Sequence, residues 1–407
     1  MISAFLKLTP LGEQLQLQCG DGQVGASFLM PDEPIRFTPE AMNHMLLFCN
    51  GLMASDITIQ TNTPVTAEIH GKLVRITTRA LSNSEVADML NAIYGSNGTT
   101  QLFSGHDVDT HYEIRPSRSE RYRYRVNGTA CQVEGHDAIQ ITIRTIPSDP
   151  PSLSTMNLPP AIVNAMAPHQ GTVIVTGSTG SGKSTLLAAM IKELIQQEDG
   201  NRKILTYESP IEFVYDSVTT PSSIVSQSEI PRHLPSFAAG VRNALRRKPG
   251  MILVGEARDA ETISAVIDAA MTGHPVYTTL HSNGVADAVR RMISVFPAEE
   301  RNGRALDILE TLRLVIWQKL VKTIDGKRVA LREYLVFDEE VRDILLGSDV
   351  ESLAARTRAL VKERGQPLIL DARQKLRDGI ISEREYRLIM AGSKSTDKDL
   401  AASDRFS

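Results

Sequence analysis

The stretch VIVTGSTGSGKST, residues 173–185, constrains this chain more than any other. An apolar run leads into three glycines within six positions, followed by Lys-Ser-Thr and the helix-forming LLAAMIKELI. Glycine at that density suits a turn whose backbone enters conformations closed to other residues. The flanking patterns predict a strand before the turn and a helix after it. The spacing G-x-x-x-x-G-K-S in that context is the signature of a phosphate-binding loop. The backbone amides of Gly177, Ser178, Thr179, Gly180, Ser181 and Gly182 can then wrap phosphate oxygens, and the helix N-terminus adds a favourable dipole. Lys183 is expected to meet the β- and γ-phosphates of ATP, Ser184 to ligate Mg²⁺, and Thr185 to assist.

Around this motif the chain alternates strands with segments of helical length. GTVIVTG, KILTYE, MILVGE and PVYTTLH are the strand candidates. Such alternation predicts an α/β domain with a mainly parallel sheet and helices on both faces, whose ligand chemistry gathers at the carboxyl ends of the strands. Glu256 ends one strand; it is either a water-orienting carboxylate or a structural acid at a helix start. Glu208 ends another, where a carboxylate can hold Mg²⁺ through water. Glu212, four residues on, reads equally as a second such group or as a solvated turn residue. His274 and His281 bracket PVYTTL, and a strand of that length separates them by roughly 23 Å, too far for one metal ion. His281 lies just past a strand's carboxyl end, where a ligand would be met.

The first third of the chain has a different texture. Thr38 and Pro39 start a helix over FTPEAMNHMLLFCNGLMASD, and a second helix is expected at SEVADMLNAIYG. Short alternating runs at DITIQT, TAEIHG, KLVRIT, THYEIR, RYRYRVNG and AIQITIRTIP predict strands. The reading is an N-terminal extension over residues 1–35, loosely packed, and an α+β domain over 36–146. A proline-rich linker follows over 147–160, then the ATPase domain with C-terminal helices over 161–392 and a disordered tail over 393–407. Arg121, Arg123 and Arg125 alternate with tyrosines, a pattern that fits a solvated strand better than a nucleic-acid surface. Arg242 and Arg246 are expected on one helix face as contacts between subunits.

Bulk properties narrow the partners. A net charge of -4 gives no electrostatic footprint for nucleic acid. Cys19, Cys49 and Cys131 are widely spaced and lack a C-x-x-C pair, which points away from a disulfide framework or zinc cage and toward a reducing, cytoplasmic compartment. No segment approaches the ~20 apolar residues of a membrane span, so no membrane insertion is expected.

Several segments together carry a resemblance. SDIT, RYRVN, IRTIP, TYESPIE, VRNALRRKPGMILVGEARDAET, TGHPVYTTLHS and VIWQKL fall in the order found in the secretion and traffic ATPases of type II and type IV systems, including the PilT-like pilus motors. The chain most resembles the branch that serves type IVB secretion and IncI-type conjugation. That resemblance implies a RecA-like P-loop ATPase core preceded by a smaller, PAS-like α+β domain. It also implies a homohexamer that uses ATP and Mg²⁺ and is recruited to an ATPase complex at the cytosolic face of the inner membrane. TYESPIE corresponds to the acidic box, VGEARD to the Walker B segment and TGHPVYTTLH to the histidine box. His281 would then sense the γ-phosphate or order the attacking water, while His274 shapes the preceding turn. Arg125 and Arg144 become candidates to reach nucleotide phosphates. Departures from the pattern are Ser209 and Gly250, where the family usually has aspartate, and the basic Arg247-Lys248. The implied function is ATP hydrolysis coupled to transport or assembly; the rival is a nucleotide-dependent scaffold with negligible turnover.

Overall fold

The computed structural model describes residues 28–117, 120–147 and 149–392. Most of the expected N-terminal extension, with Cys19, and the expected tail at 393–407 lie outside the described residues. Two compact units divide the chain, Met1–Ser148 and Asp149–Ser407.

The first unit contains α1 (Pro39–Gly51), β1 (Asp56–Gln60), β2 (Thr66–Ile69), β3 (Lys72–Arg75), α2 (Asn83–Tyr94), α3 (Gly98–Phe103), β4 (Val108–Ile114), β5 (Tyr122–Val133) and β6 (His136–Ile146). Thr38 caps α1, its hydroxyl accepting from the Ala41 amide, and Pro39 takes the first turn, where its missing N–H costs nothing. The strands form one antiparallel sheet in the order β3-β2-β1-β6-β5-β4. Ile57 and Ile59 of β1 alternate inward and meet Met42, Leu46, Met89 and Leu90 from α1 and α2 in a single core. The solvated-strand reading of RYRYR fails at its centre. Arg123, on β5, is only 2% exposed.

The second unit opens with a segment that packs onto it rather than standing free. Lys192 Nζ donates to the Pro150 carbonyl at 2.9 Å, and Leu153 joins a core of this unit. Then come α4 (Pro160–Ala165), β7 (Gly171–Thr176), α5 (Lys183–Ile195), β8 (Lys203–Glu208), β9 (Ile224–Glu229), α6 (Phe237–Ala244) and β10 (Met251–Val254). They are followed by α7 (Ala260–Met271), β11 (Pro275–Leu280), α8 (Val285–Ser294), α9 (Arg301–Thr311), β12 (Leu312–Lys322) and β13 (Arg328–Val336). The helices α10 (Glu339–Leu346), α11 (Leu353–Arg364), α12 (Leu368–Arg377) and α13 (Glu383–Gly392) end the described chain.

Among the described residues the second sheet runs β13-β12-β7-β11-β10-β8-β9, parallel throughout except for β13 at one edge. Its central strands are covered on both faces, which is why they read as continuous apolar runs. On β10, Ile252 and Val254 face one helical layer while Met251 and Leu253 face the other. Together these features make a RecA-like α/β core preceded by a smaller α+β unit. The helix carrying Arg242 ends at Ala244, so Arg246 lies beyond it; Arg246 donates to the Arg242 carbonyl, and Arg242 pairs with Glu261. The expected shared helix face for the two arginines is therefore absent.

Candidate functional site

Strand β7 runs buried to Thr176 and releases the chain into the glycine turn. Gly177 has φ 149°, and a β-carbon there would lie 2.3 Å from the Gln318 carbonyl oxygen, so only glycine fits. Gly182, left-handed at φ 82°, is the N-cap of α5 and offers no side chain to the first amides of the helix. Those uncapped amides form a cradle for an anion at the positive end of the helix. Lys183 is 9% exposed, its Nζ donating at 3.0 Å to the carbonyls of both Gly177 and Ser178. Burial lowers the ammonium pKa, and the carboxylates of Glu256 and Glu212 work against that shift. Ser181 Oγ is buried without a hydrogen-bond partner. Ser184 and Thr185 stand half-buried in the first turn of α5. Glycine backbone, uncapped helix, lysine, hydroxyls and nearby carboxylates fit a nucleotide triphosphate with its Mg²⁺.

Glu256 follows the end of β10, and His281 follows the end of β11, the adjacent parallel strand. The sheet thereby brings them together: His281 Nε2 is 3.4 Å from Glu256 Oε1. Burial, then Lys183, lowers the imidazole pKa below 6.5; Glu256 opposes this, Arg291 adds to it, and a hydrogen bond with the Gly177 backbone opposes it. The strand ends are pinned by hydroxyls. Thr279 Oγ1 donates to the Gly255 carbonyl at 2.6 Å, and Thr176 Oγ1 shares a 2.8 Å hydrogen bond with Ser282 Oγ. Helix α7 is capped by Asp259, whose carboxylate accepts from the Thr262 amide, so Glu256 is not needed as the structural acid at that helix start. Glu208 closes β8, held by Thr206 Oγ1 at 2.6 Å and Gln227 Nε2 at 3.2 Å. Glu212 is half-buried and within electrostatic reach of Lys183, which separates it from a freely solvated turn residue.

His274 lies at the other end of β11. Its Nδ1 sits 3.2 Å from the Ala269 carbonyl and 3.3 Å from Thr272 Oγ1, holding the turn that precedes the strand. Arg125 and Arg144 belong to the first unit, where β5 and β6 pair them directly in register. Two cations opposed across a ladder repel, and each has an acid beside it: Arg125 binds Asp109 at 2.8 Å and Arg144 binds Asp56 at 2.8 Å. Several residues of the site had no distinct signal in the sequence. Arg291 donates to the His281 carbonyl from α8, and Gln227 reaches Glu208 from a polar edge strand; only the fold brings them in. Arg258, within VGEARD, lies 3.9 Å from Glu256 and was not singled out from the sequence.

Comparison with known proteins agrees with this geometry. Residues 136–367 match the family model described as type II/IV secretion system protein. A twitching motility protein of Neisseria gonorrhoeae is 35% identical over 80% of this chain and 84% of its own length. The type IV pilus retraction ATPase PilT of Pseudomonas aeruginosa is 34% identical over 75% of this chain and 85% of its own. Among solved structures, the Legionella pneumophila ATPase DotB superposes with a TM-score of 0.85 at 65% identity, covering 91% of this chain and all of that one. The pilus retraction motor PilT with bound ADP gives 0.75 at 27% identity, covering 89% of this chain and 98% of that one. The chain belongs to the type II/IV secretion system protein family, among its PilT-like ATPases, with DotB as a neighbour.

Proposed function

We propose that this chain is a Mg²⁺-dependent ATPase that works as a homohexamer, coupling ATP hydrolysis to transport or assembly in a type IVB secretion or conjugation system. The observation that carries the reading is the convergence of Lys183, Glu256 and His281 at the carboxyl edge of one parallel sheet. In this reading residues 36–146 and 161–392 are the working domains, joined through 147–160. The chain is recruited from the cytoplasm to the cytosolic face of the inner membrane, where it docks on a DotO-like ATPase complex. Bound ATP supplies the phosphoanhydride bond to be cleaved. Lys183 and the loop amides bind its phosphates, Ser184 and, through water, Glu208 hold the cation, and Glu256 aligns the attacking water and draws off its proton. His281 orders that water or senses the terminal phosphate. Arg125 and Arg144, released from Asp109 and Asp56, direct positive charge at the phosphates.

The test separates binding from chemistry. Lys183→Ala should abolish nucleotide binding, whereas Glu256→Gln should retain ATP and hydrolyse it at least ~100-fold more slowly, the scale of a lost general base. Both are measured by titration with a fluorescent ATP analogue and by phosphate release. Normal turnover by Glu256→Gln would remove it from the catalytic role.

A further inference from the structure

The phosphate-binding loop rests on a side chain that the reading above leaves idle. Gln318 on β12 is 3% exposed, and its Nε2 donates to the Ser181 carbonyl at 2.7 Å, from inside the loop's underside. The same residue shapes two of the loop's glycines. A β-carbon on Gly177 would meet the Gln318 carbonyl at 2.3 Å, and one on Gly182 would meet Nε2 at 2.9 Å. The loop is therefore packed closely against Gln318 at three residues, Gly177, Ser181 and Gly182. The amide oxygen is fixed in turn, since Gln318 Oε1 accepts from Arg332 Nε at 2.9 Å. Arg332, on β13, is 4% exposed. With its oxygen held by a guanidinium, the amide of Gln318 has one orientation only, NH₂ toward Ser181.

Beyond Arg332 the chain of contacts leaves the sheet. The Arg332 amide, on the outer edge of β13, donates to Asp371 Oδ2 at 2.7 Å, and Asp371 Oδ1 is bound by Lys375 Nζ at 2.5 Å on the same helix, α12. Gln366, just before α12, pairs with Tyr334 through both backbone groups and donates from its side chain to the Arg332 carbonyl. Helix α12 thus closes the open edge of the sheet through Arg332, the residue that orients Gln318.

We propose that Gln318 is a positioning residue for the phosphate-binding loop, oriented by Arg332, and that the seating of α12 through Asp371 sets how firmly the loop is held. The proposal rests on the nucleotide-binding reading of that loop. Holding the Ser181 carbonyl from below fixes the Ser181–Gly182 peptide plane, so that the Gly182 amide points away from Gln318 before a ligand arrives. Preorganisation of this kind raises affinity by lowering the ordering that binding must supply.

Three variants of the full chain test it, each followed by melting without nucleotide and by titration with a fluorescent ATP analogue in Mg²⁺. Gln318→Met strands two buried partners, so it should lower both the melting temperature and the affinity. The double variant Gln318→Met with Arg332→Met removes the polar groups together, which relieves the stranded guanidinium. It should recover most of the melting temperature while its Kd stays about tenfold above that of the unaltered chain, the scale of one lost buried hydrogen bond. Asp371→Asn, which touches no loop atom, should raise Kd by about fivefold through α12, the low end of coupling energies between sites. A double variant whose Kd returns with its stability, or an Asp371→Asn chain with unchanged Kd, would overturn the proposal while leaving nucleotide binding intact. Absence of any binding by the unaltered chain would instead overturn the nucleotide reading itself, and the positioning role with it.

Discussion

His281 carries opposing influences that decide its charge. Burial comes first and disfavours the imidazolium, and the neighbouring Lys183 and Arg291 disfavour it further; Glu256 and the Gly177 backbone favour it, but the balance falls below 6.5. At neutral pH the ring is therefore uncharged and can accept a hydrogen bond from water or donate one to a phosphate. Because protonation adds a positive charge beside Lys183, it should weaken the function of the ring, and the sign follows directly. Activity should therefore be retained at neutral pH and decline as acid carries the ring through its lowered pKa. The pH profile of kcat/KM for ATP hydrolysis should show an acid limb below 6.5, and His281→Asn should erase this limb while lowering the plateau. His274→Ala should leave the limb in place, since the His274 ring is held within its own turn at the far end of β11. A limb centred above 6.5, or one that survives His281→Asn, would remove His281 from the reaction.

At the scale of elements, the start of α2 shows how a local signal recruits distant chain. Ser82 and Glu85 form a capping box, each satisfying the other's backbone. The same carboxylate accepts from the Phe37 amide at 2.9 Å and pairs with Arg79 at 2.6 Å, so three segments meet on one buried acid. The hydrogen bond from Arg79 does most to hold Glu85 at about 2, against the opposing effect of burial. A depressed carboxyl stabilises the folded state at pH values above 4.5 and loses that contribution as pH falls toward about 2. Glu85→Gln should then cost roughly 2–3 kcal/mol at pH 7. Urea unfolding from pH 7 to pH 2.5 should show the gap between the two chains narrowing; a constant gap would mean that Glu85 acts through packing alone. The capping box is written in sequence neighbours, whereas Phe37 and Arg79 are supplied by tertiary packing. The same division runs through the second unit. β7, β8, β10 and β11 were legible because strands covered on both faces must be continuously apolar. β9, IVSQSE, was not, since an edge strand with one pairing partner can remain polar. The phosphate-binding loop was legible as a contiguous motif. The meeting of Glu256 with His281 depends on the pairing of β10 with β11, and Gln318 beneath the loop on β12 lying beside β7; neither adjacency is encoded locally.

For the whole molecule, the proposed arginine role raises the question of whether it would be served within one chain or between neighbouring chains. Arg125 and Arg144 stand side by side across β5 and β6, an arrangement of like charges that needs Asp109 and Asp56 to neutralise it. The Arg144 side chain is 63% exposed, so its ion pair is weak enough to exchange for a phosphate. An arginine brought to a terminal phosphate stabilises charge in the transition state and is worth on the order of 10³ in rate. Arg144→Ala should therefore cut hydrolysis deeply while leaving binding through Lys183 largely intact. Assignment within or between chains follows from mixing. In a ring of exchanging subunits, equal parts of Arg144→Ala and Lys183→Ala chains would leave about a quarter of sites complete if the arginine crosses to its neighbour. If it serves its own chain, every site lacks one group or the other. The short sequence separation of Arg144 from Gly177 favours service within the chain, and the mixture should remain as inactive as its components. Phosphate release from mixed subunits, measured after exchange has been verified by fluorescence transfer between labelled chains, decides it; activity recovered toward a quarter of the unaltered rate would move Arg144 into the adjacent subunit's site.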